Sequence, residues 1–149
     1  MRPDVASRRR KGNRLLTPSP LVLIAERDQS VRALQRVFLE RAGLAVEFAD
    51  DGSAALERVR MVLPAVVVTE ILVPKLDGLT LCRQLRDGPA TAHVPVVVFS
   101  ILAAAARAAE AGAHTFLRKP LVESSFVAAV LGAIARQLPA TSEQQWVSR

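Results

Sequence analysis

The most constraining feature of this chain is an alternation of two patterns. Short, continuously apolar runs alternate with longer segments whose apolar residues recur at helical spacing. Leu21-Val22-Leu23-Ile24-Ala25, Ala65-Val66-Val67-Val68-Thr69 and Val94 to Phe99 are such runs, and the last two are rich in β-branched residues. A strand apolar on both faces belongs inside a parallel sheet covered by helices. Leu44 to Ala49 and His114 to Leu117 read as two further strands.

The intervening segments read as helices. Ser30 caps a first helix running through Ala42, with Val31, Leu34, Val37 and Phe38 on its inner face and Gly43 closing it. Asp51-Gly52-Ser53 opens a second, carrying Leu56, Val59 and Leu63 before Pro64 stops it. A third carries Leu79, Cys82 and Leu85, and Gly88-Pro89 breaks it. Ala103 to Ala111 is helical by alanine propensity, with Gly112 at its end. The last spans Glu123 to Leu138, with Phe126, Val127, Val130, Leu131 and Ile134 inward and Pro139 beyond. Five strands alternating with five helices predict a three-layer, doubly wound α/β domain around a five-stranded parallel sheet. Its predicted bounds are 21–138, between a basic arm (1–20) and a polar tail (139–149).

Composition agrees with one domain and removes several function classes. Half of the 149 residues are apolar, enough to fill a core at this length. One cysteine excludes a disulfide framework and a cysteine-based zinc cluster. No run of some eighteen apolar residues exists, so no membrane span is expected. The net charge of +6 points at first to nucleic acid. Yet residues 1–20 hold Arg2, Arg8, Arg9, Arg10, Lys11 and Arg14 against Asp4 alone, so the remaining body is nearly neutral. Nucleic-acid binding through residues 2–14 therefore stands as an alternative rather than the favoured reading. The arm lacks interleaved aromatics, and nothing resembles a helix-turn-helix.

In sheets of this kind ligands bind beyond the carboxyl ends of the strands. The polar residues there are Glu26, Arg27 and Asp28 after strand one, Glu70 after strand three, Ser100 after strand four and Lys119 after strand five. The fold brings all of them to one rim.

These residues, with the stretches Val66 to Gly78 (containing Pro74-Lys75-Leu76-Asp77-Gly78), Val94 to Ser100 and Ala111 to Pro120, resemble the receiver domain of two-component response regulators. The resemblance implies a flavodoxin-like strand order 2-1-3-4-5 and a bacterial, cytoplasmic signalling protein without turnover of its own. In the family an aspartate ending strand three accepts a phosphoryl group from a histidine kinase. Two acids after strand one help hold magnesium. A serine or threonine after strand four and a lysine after strand five grip the phosphoryl oxygens, balancing the charge that phosphoryl transfer builds.

This sequence departs at decisive positions. Glu70 stands at the phosphoacceptor position, Glu26 and Arg27 replace the acidic pair, and Phe116 fills the aromatic switch position without a hydroxyl. Ser100 and Lys119 match. The link from Ser100 to Gly112 is shorter than is common in the family. Glu70 carries its carboxylate one methylene further out, toward where phosphoryl oxygens sit. Arg27 repels a divalent ion and is expected to pair with Glu70 or Glu26 in its place, with Lys119 as the other candidate partner of Glu70. Glu26, Arg27, Glu70 and Lys119 sum to zero charge, so magnesium binding is expected to be lost. A one-residue slip of strand one would instead bring Asp28 nearer the pocket.

The resemblance thus implies a pseudo-receiver that works by protein–protein contact through the fourth-helix, fifth-strand and fifth-helix face, with a homodimer as one form of that contact. A phospho-switch using a neighbouring acceptor is the second reading. Cys82 reads as a packing residue, and His93 and His114 as structural. Trp146 is expected to fold back onto an apolar groove.

Overall fold

The computed structural model describes residues 18–137. Most of the basic arm, Leu138 and the tail with Trp146 lie outside them. The elements are β1 Leu21–Ala25, α1 Gln29–Arg41, β2 Ala45–Ala49, α2 Gly52–Val62 and β3 Val66–Thr69. They continue with α3 Gly78–Asp87, β4 Val96–Ser100, α4 Ala105–Glu110, β5 Thr115–Arg118 and α5 Glu123–Gln137. All strand pairings are parallel, in the order β2-β1-β3-β4-β5, with Ala25 level with both Ala49 and Thr69. No helix among the described residues is long and apolar enough to cross a membrane.

The continuously apolar runs serve two cores at once, because successive side chains on a strand point to opposite faces. Leu23, Ala25, Val67, Val96 and Val98 pack with Ala55, Leu56, Val59, Leu79, Cys82, Leu85 and Ala108 from α2, α3 and α4. Val22, Ile24, Val66, Val68, Val97 and Phe99 pack with Leu39, Phe126, Val130 and Ala133 from α1 and α5. Burying each large apolar side chain contributes about 1.5–3 kcal/mol, which holds the strand ends in one fixed rim.

Several local expectations are corrected. Asp28, not Ser30, caps α1: its Oδ1 accepts from the backbone N–H groups of Ser30 (2.9 Å) and Val31 (3.2 Å). A carboxylate placed two residues earlier reaches both free donors of the first turn, and a hydroxyl inside the turn reaches neither. The inner face of α1 runs through Val31, Gln35, Leu39 and Ala42, so Leu34 and Val37 are 47% and 45% exposed. Gln35 is fully buried, and its side-chain amide has no hydrogen-bond partner among the described residues. Leu63 lies past the end of α2 in a left-handed conformation (φ 45°) and is exposed. Leu131 of α5 faces outward, and Ala133 takes the buried place. Ser100 is the last residue of β4 rather than the first beyond it.

The loop after β3 is fixed by Asp77 and Gly78. Asp77 Oδ1 accepts from the N–H groups of Leu79 and Thr80, capping α3. Gly78 donates to the Ile71 carbonyl at 2.9 Å, and a Cβ on it would stand 2.3 Å from the Glu70 carbonyl oxygen. Gly78→Ala is expected to cost at least about 1–3 kcal/mol, the range for overpacking a tight contact. Gly132→Ala, in α5 with nothing within 4 Å of the added carbon, is expected to stabilise by about 0.5–1 kcal/mol. Denaturant unfolding of the two variants beside the parent checks the opposite signs.

Candidate functional site

Four strand ends converge on one lysine. Glu26 follows β1, Glu70 follows β3, Ser100 closes β4 and Lys119 follows β5, and the first three are buried. Lys119 Nζ lies 3.0 Å from Glu26 Oε1, 3.2 Å from Glu26 Oε2 and 3.1 Å from Glu70 Oε1. It also stands 5.5 Å from the centre of the buried Phe99 ring. The Lys119–Pro120 peptide bond is cis.

Glu70 is held on every side. Its carboxylate accepts from Ser100 Oγ, from the N–H of Leu72 (3.1 Å), from the N–H of Ile101 (3.2 Å) and from Lys119. Ser100 Oγ in turn accepts from the Leu102 N–H at 3.2 Å. Glu26 Oε2 accepts from the Asp28 N–H at 3.1 Å. Two carboxylates and one ammonium leave one negative charge in a buried place, and backbone dipoles compensate it.

Burial pushes the Glu70 carboxyl up, but the bonds from Ser100, the Leu72 N–H and Lys119 outweigh it and hold it below its ordinary value. Burial pulls the Lys119 ammonium down, and Glu26 and Glu70 more than offset this, leaving it raised. A depressed carboxyl contributes stability that is lost as pH falls through its folded value. A raised ammonium contributes stability that is lost as pH rises through its folded value. The clamp is therefore complete across the neutral range; it is lost in acid as Glu70 protonates, below its ordinary range, and in base as Lys119 deprotonates, above its ordinary range.

Arg27 does not do what was expected of it. It is exposed at the rim of a pocket of about 360 Å³ lined by Glu26, Arg27, Asp28, Glu70, Leu72 and Lys119, and it pairs with neither Glu26 nor Glu70. Neighbouring residues on an extended chain diverge, so burying Glu26 turns Arg27 outward. Lys119 supplies the cation instead. Asp28 does line the pocket, with no slip of β1, but its Oδ1 is committed to the cap of α1. The N–H groups of Val31 and Ser30 hold it below the ordinary carboxylate value.

Phe116 lies level with Val98 and packs, half-buried, against the core shared by α2, α3 and α4. Cys82 is buried, and desolvation pushes its thiol up to about 11, so it is an inert packing residue. His114 is exposed at the foot of β5. Sequence reasoning missed the backbone donors of Leu72 and Ile101 and the ring of Phe99. Their positions just beyond or just before strand ends were the signal available.

The sequence matches the family described as response regulator receiver domain over residues 22–131. It is 35% identical over 118 residues to the transcriptional regulatory protein CseB of Streptomyces avermitilis, covering 77% of this chain and 49% of that protein. It is 31% identical over 121 residues to the response regulator MprA of Mycolicibacterium vanbaalenii, covering 79% and 52%. The chain thus spans about half the length of these two relatives. The fold superposes on a putative response regulator from Chloroflexus aurantiacus with TM-score 0.75 and 30% identity, covering 78% of this chain and 98% of that one.

Proposed function

The chain belongs to the response regulator receiver domain family, and from that premise we propose that it is a pseudo-receiver. In this reading it signals by protein–protein contact, in one conformation, without aspartate phosphorylation and without turnover of its own. The observation that carries the reading is the Glu70 carboxylate bound by Ser100 and Lys119, the two residues that grip phosphoryl oxygens in the family. A carboxylate there carries one negative charge against about 1.5–2 for a phosphate, so it mimics the modified state in position more than in charge. Phe116 packed inward keeps the β4–β5 side of the domain in a single arrangement.

The donor set does not fit magnesium. That ion takes near-octahedral oxygen ligands and several waters. Here the Lys119 ammonium lies between the two buried carboxylates, Arg27 stands where the family has an acid, and Asp28 Oδ1 caps a helix. Partner contact is assigned to the face of α4, β5 and α5, in a cytoplasmic signalling role. A homodimer through that face is one form it takes.

The test is an amide NMR spectrum recorded before and after addition of magnesium and acetyl phosphate. The expected spectra superimpose. Shifts concentrated between Ser100 and Phe116 would show a working phospho-switch and overturn the reading.

A further inference from the structure

A concavity larger than the one at the strand-end rim lies elsewhere on the described surface. It is a groove of about 730 Å³ between the end of α1 and the first half of α5, lined by Phe38, Arg41, Ala42, Val127, Ala128 and Leu131 among nine residues. Val122 and Leu131, on its walls, are exposed large apolar side chains, and Leu34 adds a third on the Phe38 face of α1 at i, i+4 spacing. Arg41 stands 6.0 Å from the centre of the Phe38 ring and is itself largely exposed, so it offers a cation to a second aromatic face.

We propose that this groove seats the chain's own C-terminal segment, with the Trp146 indole between Phe38 and Leu131. Two observations favour this occupant. First, the walls are too few for a dimer, since a standard interface takes about 20–30 residues a side and this groove has nine. One tryptophan, which buries about 150–250 Å², suits a site of this size. Second, the reach is sufficient. Leu131 lies six residues before Gln137, about 9 Å along the helix. The nine residues from Gln137 to Trp146 span up to about 30 Å when extended. Tethering makes the contact intramolecular, at an effective concentration in the millimolar range.

Trp146 is the only tryptophan and the chain has no tyrosine, so its fluorescence reads this contact alone. In the full chain the expected emission is blue-shifted from that of free tryptophan, poorly quenched by acrylamide and unchanged on dilution. Leu131→Asp and Ala128→Arg alter exposed walls without removing core, and each is expected to shift emission to the red and raise quenching several-fold while circular dichroism is unchanged. Met61→Asp, an exposed position on α2, is expected to change neither. Emission of the parent at the free-tryptophan wavelength overturns the proposal, as does a blue shift that survives both groove variants. A blue shift lost on dilution, with a solution mass of two chains, also overturns it by assigning the groove to a second copy.

Discussion

Lys119→Met is expected to remove about 3–5 kcal/mol of folding stability near neutral pH, the cost of stripping the cation from a buried ion pair. Lys119 is the shared partner of Glu26 and Glu70, which are 2% and 5% exposed. Without it two carboxylates face each other in a poorly solvated place. One must take up a proton or the site must open to water. The loss therefore shrinks as the pH is lowered and the carboxylates protonate. Glu70→Gln placed on the Lys119→Met background is expected to restore part of the stability, because an amide keeps an acceptor for Ser100 and carries no charge. Arg36→Ala gives the contrast: its pair with Glu40 is half exposed on both sides and is expected to be worth under about 0.5 kcal/mol. Urea unfolding of these three variants beside the parent measures all of it. A Lys119→Met loss no larger than that of Arg36→Ala would mean that the clamp is not a structural element.

The second large effect is a gain. Arg27→Asp combined with Glu70→Asp returns the pocket to three acids and one lysine and shortens the strand-three carboxylate by one methylene. Removing Arg27 breaks no contact with Glu26 or Glu70, since it makes none. Withdrawing the carboxylate from Lys119 opens room between it and Glu26. The double variant is expected to bind magnesium, raising its stability by about 1.4 kcal/mol at ten times the dissociation constant. It is also expected to take up a phosphoryl group from acetyl phosphate. The parent is expected to do neither. A double variant as indifferent to magnesium as the parent would mean that lost acidity is not what separates this pocket from an active one.

The rim was legible in the sequence because it depends on the coarsest features. Apolar runs of strand length fix where each strand ends, and parallel order brings those ends together. Glu26, Glu70, Ser100 and Lys119 therefore meet as read. The partner of Glu70 was half legible: Lys119 and Arg27 were both candidates, and only the divergence of adjacent side chains after β1 decides between them. The face of α1 was misread for a different reason. Hydrophobicity favours Leu34 and Val37 as inward, yet the helical period starting from Val31 carries Gln35 and Leu39 into the core. Phe38, read as inward with Leu34 and Val37, is half-buried instead, and its ring borders the groove to α5. Backbone donors, such as the N–H groups of Leu72 and Ile101, have no side-chain signature and emerge only once the loops are placed.

In the proposed function, Glu70, clamped by Ser100 and Lys119, takes the place of a phosphorylation cycle. Intact mass measurement of the full chain after incubation with acetyl phosphate and magnesium tests it most directly. An unchanged mass is expected, alongside a phosphoryl gain in the Arg27→Asp, Glu70→Asp variant treated in parallel. A stoichiometric gain of one phosphoryl group on the unaltered chain, at Glu70 or at the neighbouring Asp28, would contradict it.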